Sequence, residues 1–250
     1  MVFFLNQFDD EMRALLAEDI GFHLGDGHMS ASTRDSCFRY SFTYCGDMVK
    51  DKDYFLNKLI PRKVTLFGLR KKEYIFNKKR SAIYYSFNSR HIFKFFYEMG
   101  IPSGRKTNMK IPSWIMRGNK EIKSSVLRGL IDSDGCFTVK RKYKSNPYYP
   151  VITFSSKSKN LIEDIQILLS EFSILYTVCL HKRIDNRNGR KYSIYQIDIN
   201  GKERVNKWIN HIGFNNKRHI IKYERWARGD LNSRSLPFSP FGCEGSVLTN

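Results

Sequence analysis

LRGLIDSDGCF, residues 127–137, is an apolar run that closes on two carboxylates, Asp132 and Asp134, and a glycine. The last four carbonyls of a helix have no partner inside it, and the dipole makes that end partly negative. A carboxylate there is repelled and stabilises its own helix poorly. The same cluster of carboxylate and carbonyl oxygens suits a hard divalent cation. Asp134 and the Ser133 carbonyl would supply it. DIGFHLGDGHM, residues 19–29, has the same skeleton, with Asp26 and the Gly25 carbonyl in those positions.

The two stretches head two copies of one pattern. Met12, Leu15, Leu16 and Ile20 form a helical stripe that ends at Asp26-Gly27, and Ile122, Val126 and Leu130 form one that ends at Asp134-Gly135. Strand-like runs follow, CFRYSFTYC (37–45) and PVITFSS (150–156), then helices over 50–61 and 158–174 with Asp51 and Ser158 as N-caps. Two further strands come next, VTLFGLRKK (64–72) and SAIYYSFNS (81–89) against YTVCLHKR (176–183) and KYSIYQIDI (191–199). Each copy closes with a helix that stops at a glycine, Gly100 or Gly213. The fold class is α+β, a duplicated αββαββα unit. Residues 1–117 hold the first repeat, 118–226 the second, and 227–250, which lack any period, read as a tail.

Small residues recur on the leading helices. Gly21 and Gly25 are four apart on one face, and Gly129 and Ser133 repeat the spacing. Small side chains at that spacing let two helices approach closely. If these two helices pack together, Asp26 and Asp134 meet at one end, where two metal ions can lie side by side, as two-metal phosphodiester hydrolysis requires.

Bulk properties point the same way. The chain has 250 residues, 43 Lys and Arg against 24 Asp and Glu, and a net charge of +19, which favours a polyanion as partner. No apolar run is long enough for a membrane span, and the N-terminus lacks a basic leader, so a cytoplasmic or organellar protein that is not secreted is expected. Five widely spaced cysteines without a CxxC argue against structural zinc or a disulfide framework.

LRGLIDSDG resembles the LAGLIDADG motif, differing at two positions, and DIGFHLGDG resembles a divergent first copy that keeps Gly21, Asp26 and Gly27. The arrangement over residues 8–226 is similar to the single-chain, two-motif LAGLIDADG homing endonucleases. The resemblance implies a pseudo-twofold saddle with a four-stranded antiparallel sheet in each half, double-stranded DNA along the sheets, a monomer, and Mg2+ or Mn2+ held by Asp26 and Asp134. It implies a basic residue near each cleaved phosphate, for which Lys106 and Lys217 are the candidates and Arg105 and Arg218 the rivals. Gly46 and Ser156 stand near where the family often has a glutamine or similar polar group.

Basic residues also concentrate in the strands and loops, Lys63 among them. The DNA-binding candidates are Arg34, Arg39, Arg70, Lys72, Lys79, Lys140, Lys142, Lys182, Arg183 and Arg190. Two other functions fit the scaffold. One is an RNA-binding maturase acting on its own intron RNA, and the other is a non-cleaving DNA-binding regulator. Retention of both aspartates favours cleavage, since neither rival needs the metals.

Overall fold

The computed structural model describes residues 8–34, 37–69, 75–77, 81–140, 148–184 and 189–229. Arg70, Lys72, Lys79, Lys142 and most of the tail lie outside them. The first motif helix, α1 (Asp10–Gly25), starts where the Asp9 carboxylate accepts from the Met12 amide at 2.8 Å. The second, α6 (Lys120–Asp134), starts where Asn119 accepts from the Ile122 amide at 3.0 Å. Such caps satisfy amides that have no partner within the helix.

Each motif helix leads into an antiparallel sheet. In the first half β1 (Gly27–Arg34), β2 (Cys37–Asp47), β3 (Ile75–Asn77) and β4 (Ala82–Asn88) take the order β1-β2-β4-β3. In the second, β5 (Cys136–Lys140), β6 (Tyr149–Ser156), β7 (Thr177–Ile184) and β8 (Lys191–Asn200) take the equivalent order β5-β6-β8-β7. Period-two alternation assigns the faces. Phe42 and Tyr44, Ile152 and Phe154, and Ile197 and Ile199 point into the core. The helices that cover them are α4 (Arg90–Glu98), α7 (Lys159–Glu171) and α8 (Lys202–His211). In α7, Leu161, Ile162, Ile165, Leu168 and Leu169 are all buried, the three-and-four spacing of a core-facing stripe. Gly100 and Gly213 take the left-handed conformation expected after a helix.

The expected fold class therefore holds, with local departures. Residues 64–67, read as the start of a strand, belong to α3 (Ile60–Phe67). It continues from α2 (Lys52–Tyr54) through a π-helical turn over Phe55–Leu59. Pro61 near its start and Gly68 after it are helix signals, and the helix carries Arg62 and Lys63 inward to the acids Glu18 and Asp19. Ser158 caps α7, accepting from the Leu161 amide, but Asp51 makes no cap bond. A short helix α5 (Ser113–Met116) precedes α6. A last helix, α9 (Lys217–Ala227), lies where the repeat pattern predicts only the end of the second copy. Cys179 is a free thiol and Cys136 is disulfide-bonded, whereas the cysteine spacing argues against a disulfide framework.

Candidate active site at the paired motif ends

The two motif helices pack through backbone. A Cβ on Gly21 would collide with the Val126 carbonyl, one on Gly129 with the Glu18 carbonyl, and one on Gly25 with the Ser133 side chain. The interface residues expected from the spacing thus face one another. Ser133 turns its hydroxyl onto its own helix, donating to the Gly129 and Leu130 carbonyls at 3.0 and 2.9 Å, so it adds no buried polar orphan.

This seam brings the helix ends together. The Asp26 and Asp134 carboxyls lie within hydrogen-bonding reach of each other. Burial, and then the adjoining Asp134, push the Asp26 carboxyl well above the usual range, while Lys106 and Arg218 pull it down. Lys106 sends its Nζ to the carbonyls of His23, at 3.2 Å, Leu24, at 3.3 Å, and Gly25. Arg218 does the same at the other helix, donating from Nη2 to the Ser133 carbonyl at 2.5 Å and the Asp132 carbonyl at 3.2 Å. Each motif end is therefore neutralised by one cationic side chain from the segment following the last sheet-covering helix of its own half. Lys217 is not brought there; it is exposed and pairs with Asp53 at 2.8 Å. Arg218 is the geometric counterpart of Lys106. The two look alike in sequence because Lys217 and Arg218 are adjacent, and only the first turn of α9 decides which points inward.

Two carboxylates and the Gly25 and Ser133 carbonyls make an all-oxygen donor set, and cationic nitrogens already sit against those carbonyls. These residues fit a hard divalent ion. Among the described residues no three His, Cys, Asp or Glu side chains gather into a metal cluster, so main-chain oxygens would complete any such site. His23 belongs to the packing. It is buried, its Nδ1 is 2.9 Å from the Tyr44 hydroxyl, and burial holds its pKa well below the ordinary value.

The polar sheet faces open on the other side from the core. In the first half, cross-strand partners put Ser32 beside Arg39, Ser30 beside Ser41, and His28, Thr43 and Ser86 in one row. In the second, Lys140 stands opposite Tyr149, Cys179 opposite Gln196, and Arg183 opposite Tyr192. Arg39, Lys140 and Arg183 are thus on the polar faces. Lys182 falls on the reverse face with Val178 and Leu180, because a one-residue step along a strand changes sides. Arg190 is exposed just before β8, and Arg34 ends β1. Lys63 lies fully inside, 2.7 Å from Asp19 and 2.6 Å from the Tyr44 hydroxyl, and faces no ligand surface.

Residues 121–213 match the family model described as a LAGLIDADG-like domain. Among solved structures, I-DmoI in complex with DNA and calcium aligns with a TM-score of 0.60 at 16% identity, over 85% of this chain and 98% of that one. The LAGLIDADG meganuclease I-AabMI bound to uncleaved DNA aligns at 0.53 and 13%, over 88% and 90%. The protein therefore has the fold of the LAGLIDADG homing endonucleases. The match to the family model lies in the second half, the half in which LRGLIDSDG resembles the family motif. Among curated proteins, the replication factor C small subunit of Methanocaldococcus jannaschii is 31% identical over 193 residues, 72% of this chain but 10% of that protein. The tRNA-splicing ligase RtcB of Methanopyrus kandleri is 24% identical over 223 residues, 83% of this chain and 21% of that protein. The chain spans between a tenth and about a fifth of the length of these two relatives.

Proposed function

We propose that this protein is a site-specific endonuclease that hydrolyses both strands of an asymmetric DNA target with the help of divalent cations. The observation that carries the reading is the meeting of Asp26 and Asp134, with Lys106 and Arg218 each laid on the carbonyls of one motif end. Asp26, Asp134 and the Gly25 and Ser133 carbonyls would hold the metal. A bound divalent cation supplies a polarised phosphate and a water of lowered pKa. The glycine seam keeps the two carboxylates abutting. Lys106 and Arg218 offer positive charge to the phosphate as it becomes more negative in the transition state. The polar faces of the sheets present Arg39, Lys140 and Arg183 to DNA, and the +19 charge drives the approach.

The relatives favour a mobile origin. A replication factor subunit and an RNA ligase have no common chemistry, yet each shares only a stretch of this chain's size. A segment that recurs in unrelated hosts behaves as an insertion, the setting in which a target-cutting enzyme spreads. No observation favours the RNA-binding reading.

Selection from a randomised duplex library in the presence of Mg2+ should return one asymmetric site. Asp26→Asn and Asp134→Asn should each lower double-strand cutting of that site about 100-fold or more while DNA affinity stays within about threefold. Full cutting by either variant would remove the two aspartates from the chemistry.

A further inference from the structure

The segments that deliver Lys106 and Arg218 are each seated on the opposite half of the molecule. Arg218 Nη1 lies 3.1 Å from Asp51 Oδ1, and Asn216 Nδ2 donates to that same oxygen at 3.0 Å. Lys217 reaches Asp53, two residues on. Asp51 and Asp53 belong to the first half, Asn216 to Arg218 to the second. The mirror image holds at the other end. Ser158 Oγ donates to the Met109 carbonyl at 2.7 Å, Asn160 to Asn108 at 2.8 Å, and the Ile111 amide donates to Asp164 at 2.8 Å. Here the second half supplies the seat, and the segment following Lys106 sits on it.

Asp51 and Ser158 occupy equivalent positions, just ahead of the helix that follows the second strand of each half. Ser158 caps its helix while also holding Met109. Asp51 Oδ2 accepts from the Asp47 backbone amide at 2.9 Å, and Oδ1 is committed to the other half. A carboxylate side chain only 9% exposed requires a partner, and Arg218 is the cation it has. The guanidinium is planar, so fixing Nη1 on Asp51 fixes where Nη2 points, which is the Ser133 carbonyl.

We propose that Asp51 is a positioning residue for the second motif end, supplied across the molecule by the first half, and that Ser158 is its counterpart for the first motif end. The consequence is strand-specific and rests on the nuclease reading above. On a supercoiled plasmid carrying the selected site, Asp51→Asn should slow nicking of one strand about 10-fold or more and leave the other within about twofold. Ser158→Ala should slow the other strand. Nicked circles would then accumulate with opposite strands open in the two variants. A purely structural role would slow both strands alike and would overturn the proposal, as would no change in either strand.

If the wild-type protein cuts no DNA, the nuclease reading fails by itself and the cross-half seating is read from amide hydrogen exchange on the free, full-length protein. Asp51→Asn should then raise exchange in residues 215–219 more than in α3. Exchange raised only around 47–55, within the first half, would overturn the seating as well.

Discussion

At the scale of single residues, the buried charges beneath the motif seam were the hardest to foresee. Glu18 takes two guanidiniums, Arg62 from its own half and Arg128 from the other at 3.0 Å, and a hydrogen bond from Asn215 at 2.8 Å. Burial opposes its ionisation, but Arg62, Arg128 and the Asn215 hydrogen bond together outweigh burial and hold the carboxyl below the ordinary range. A lowered pKa means that the unfolded chain binds a proton before the folded one does. The stability Glu18 contributes is present above the unfolded pKa and lost as pH falls through the folded one. The melting temperature should therefore drop from about pH 5 towards pH 3, the carboxylate range, and Glu18→Gln should flatten part of that drop. The same variant should lose about 3–5 kcal/mol at neutral pH, because it strands the Arg62 guanidinium in the interior. Thermal melts across pH test both parts, and a variant as stable as the wild type at pH 7 contradicts the second. Asp26 and Asp134 were legible because each sits in a repeated, unfavourable helix-end position. Lys63 and Arg62 were not, because a lysine destined for a buried acid looks in sequence like any surface lysine.

At the scale of elements, the small residues of the seam were readable from spacing alone, since two helices that touch through backbone leave room only for glycine or a side chain as small as that of Ser133 at the contact. Gly129→Leu should cost at least about 3 kcal/mol, because its side chain would have to displace the Glu18 carbonyl and with it α1. Denaturant unfolding measures this, and an unchanged midpoint would mean that the helices part without cost. Element type was misread where tertiary pull overrides local pattern. VTLFGLRKK takes the place of a strand in the repeat, yet its first residues continue a helix because Pro61, Leu66 and the two inward cations suit helical spacing. Helix α9 was missed because KRHIIKYERWA follows a segment that already looks like a closing cap. Its Asn216 cap, accepting from the Arg218 amide at 3.1 Å, was the available signal.

At the scale of the whole molecule, two polar sheet faces of equal topology but different side chains lie on one basic chain. Log affinity for the selected duplex should fall with log salt at a slope of magnitude about 6–10, as expected for many phosphate contacts. Arg183→Ala and Lys140→Ala should then divide by readout. A phosphate contact weakens every sequence alike, whereas a base contact relaxes one position by about 1–3 kcal/mol. Titration of the duplex at several salt concentrations checks the slope, and a shallow line near 2 would contradict an extended interface. The reciprocal seating of residues 106–111 on Ser158 and of residues 216–218 on Asp51 also bears on ancestry. Two halves that each finish the other's working end cannot be inherited as interchangeable parts. A hybrid that joins the first half of this chain to the second half of a relative would retain both sheets and both motif helices. It would still bring together a guanidinium and a seat that had never been fitted to each other, so recombination at the midpoint should yield folded molecules with one silent strand, and lineages of such proteins should descend whole.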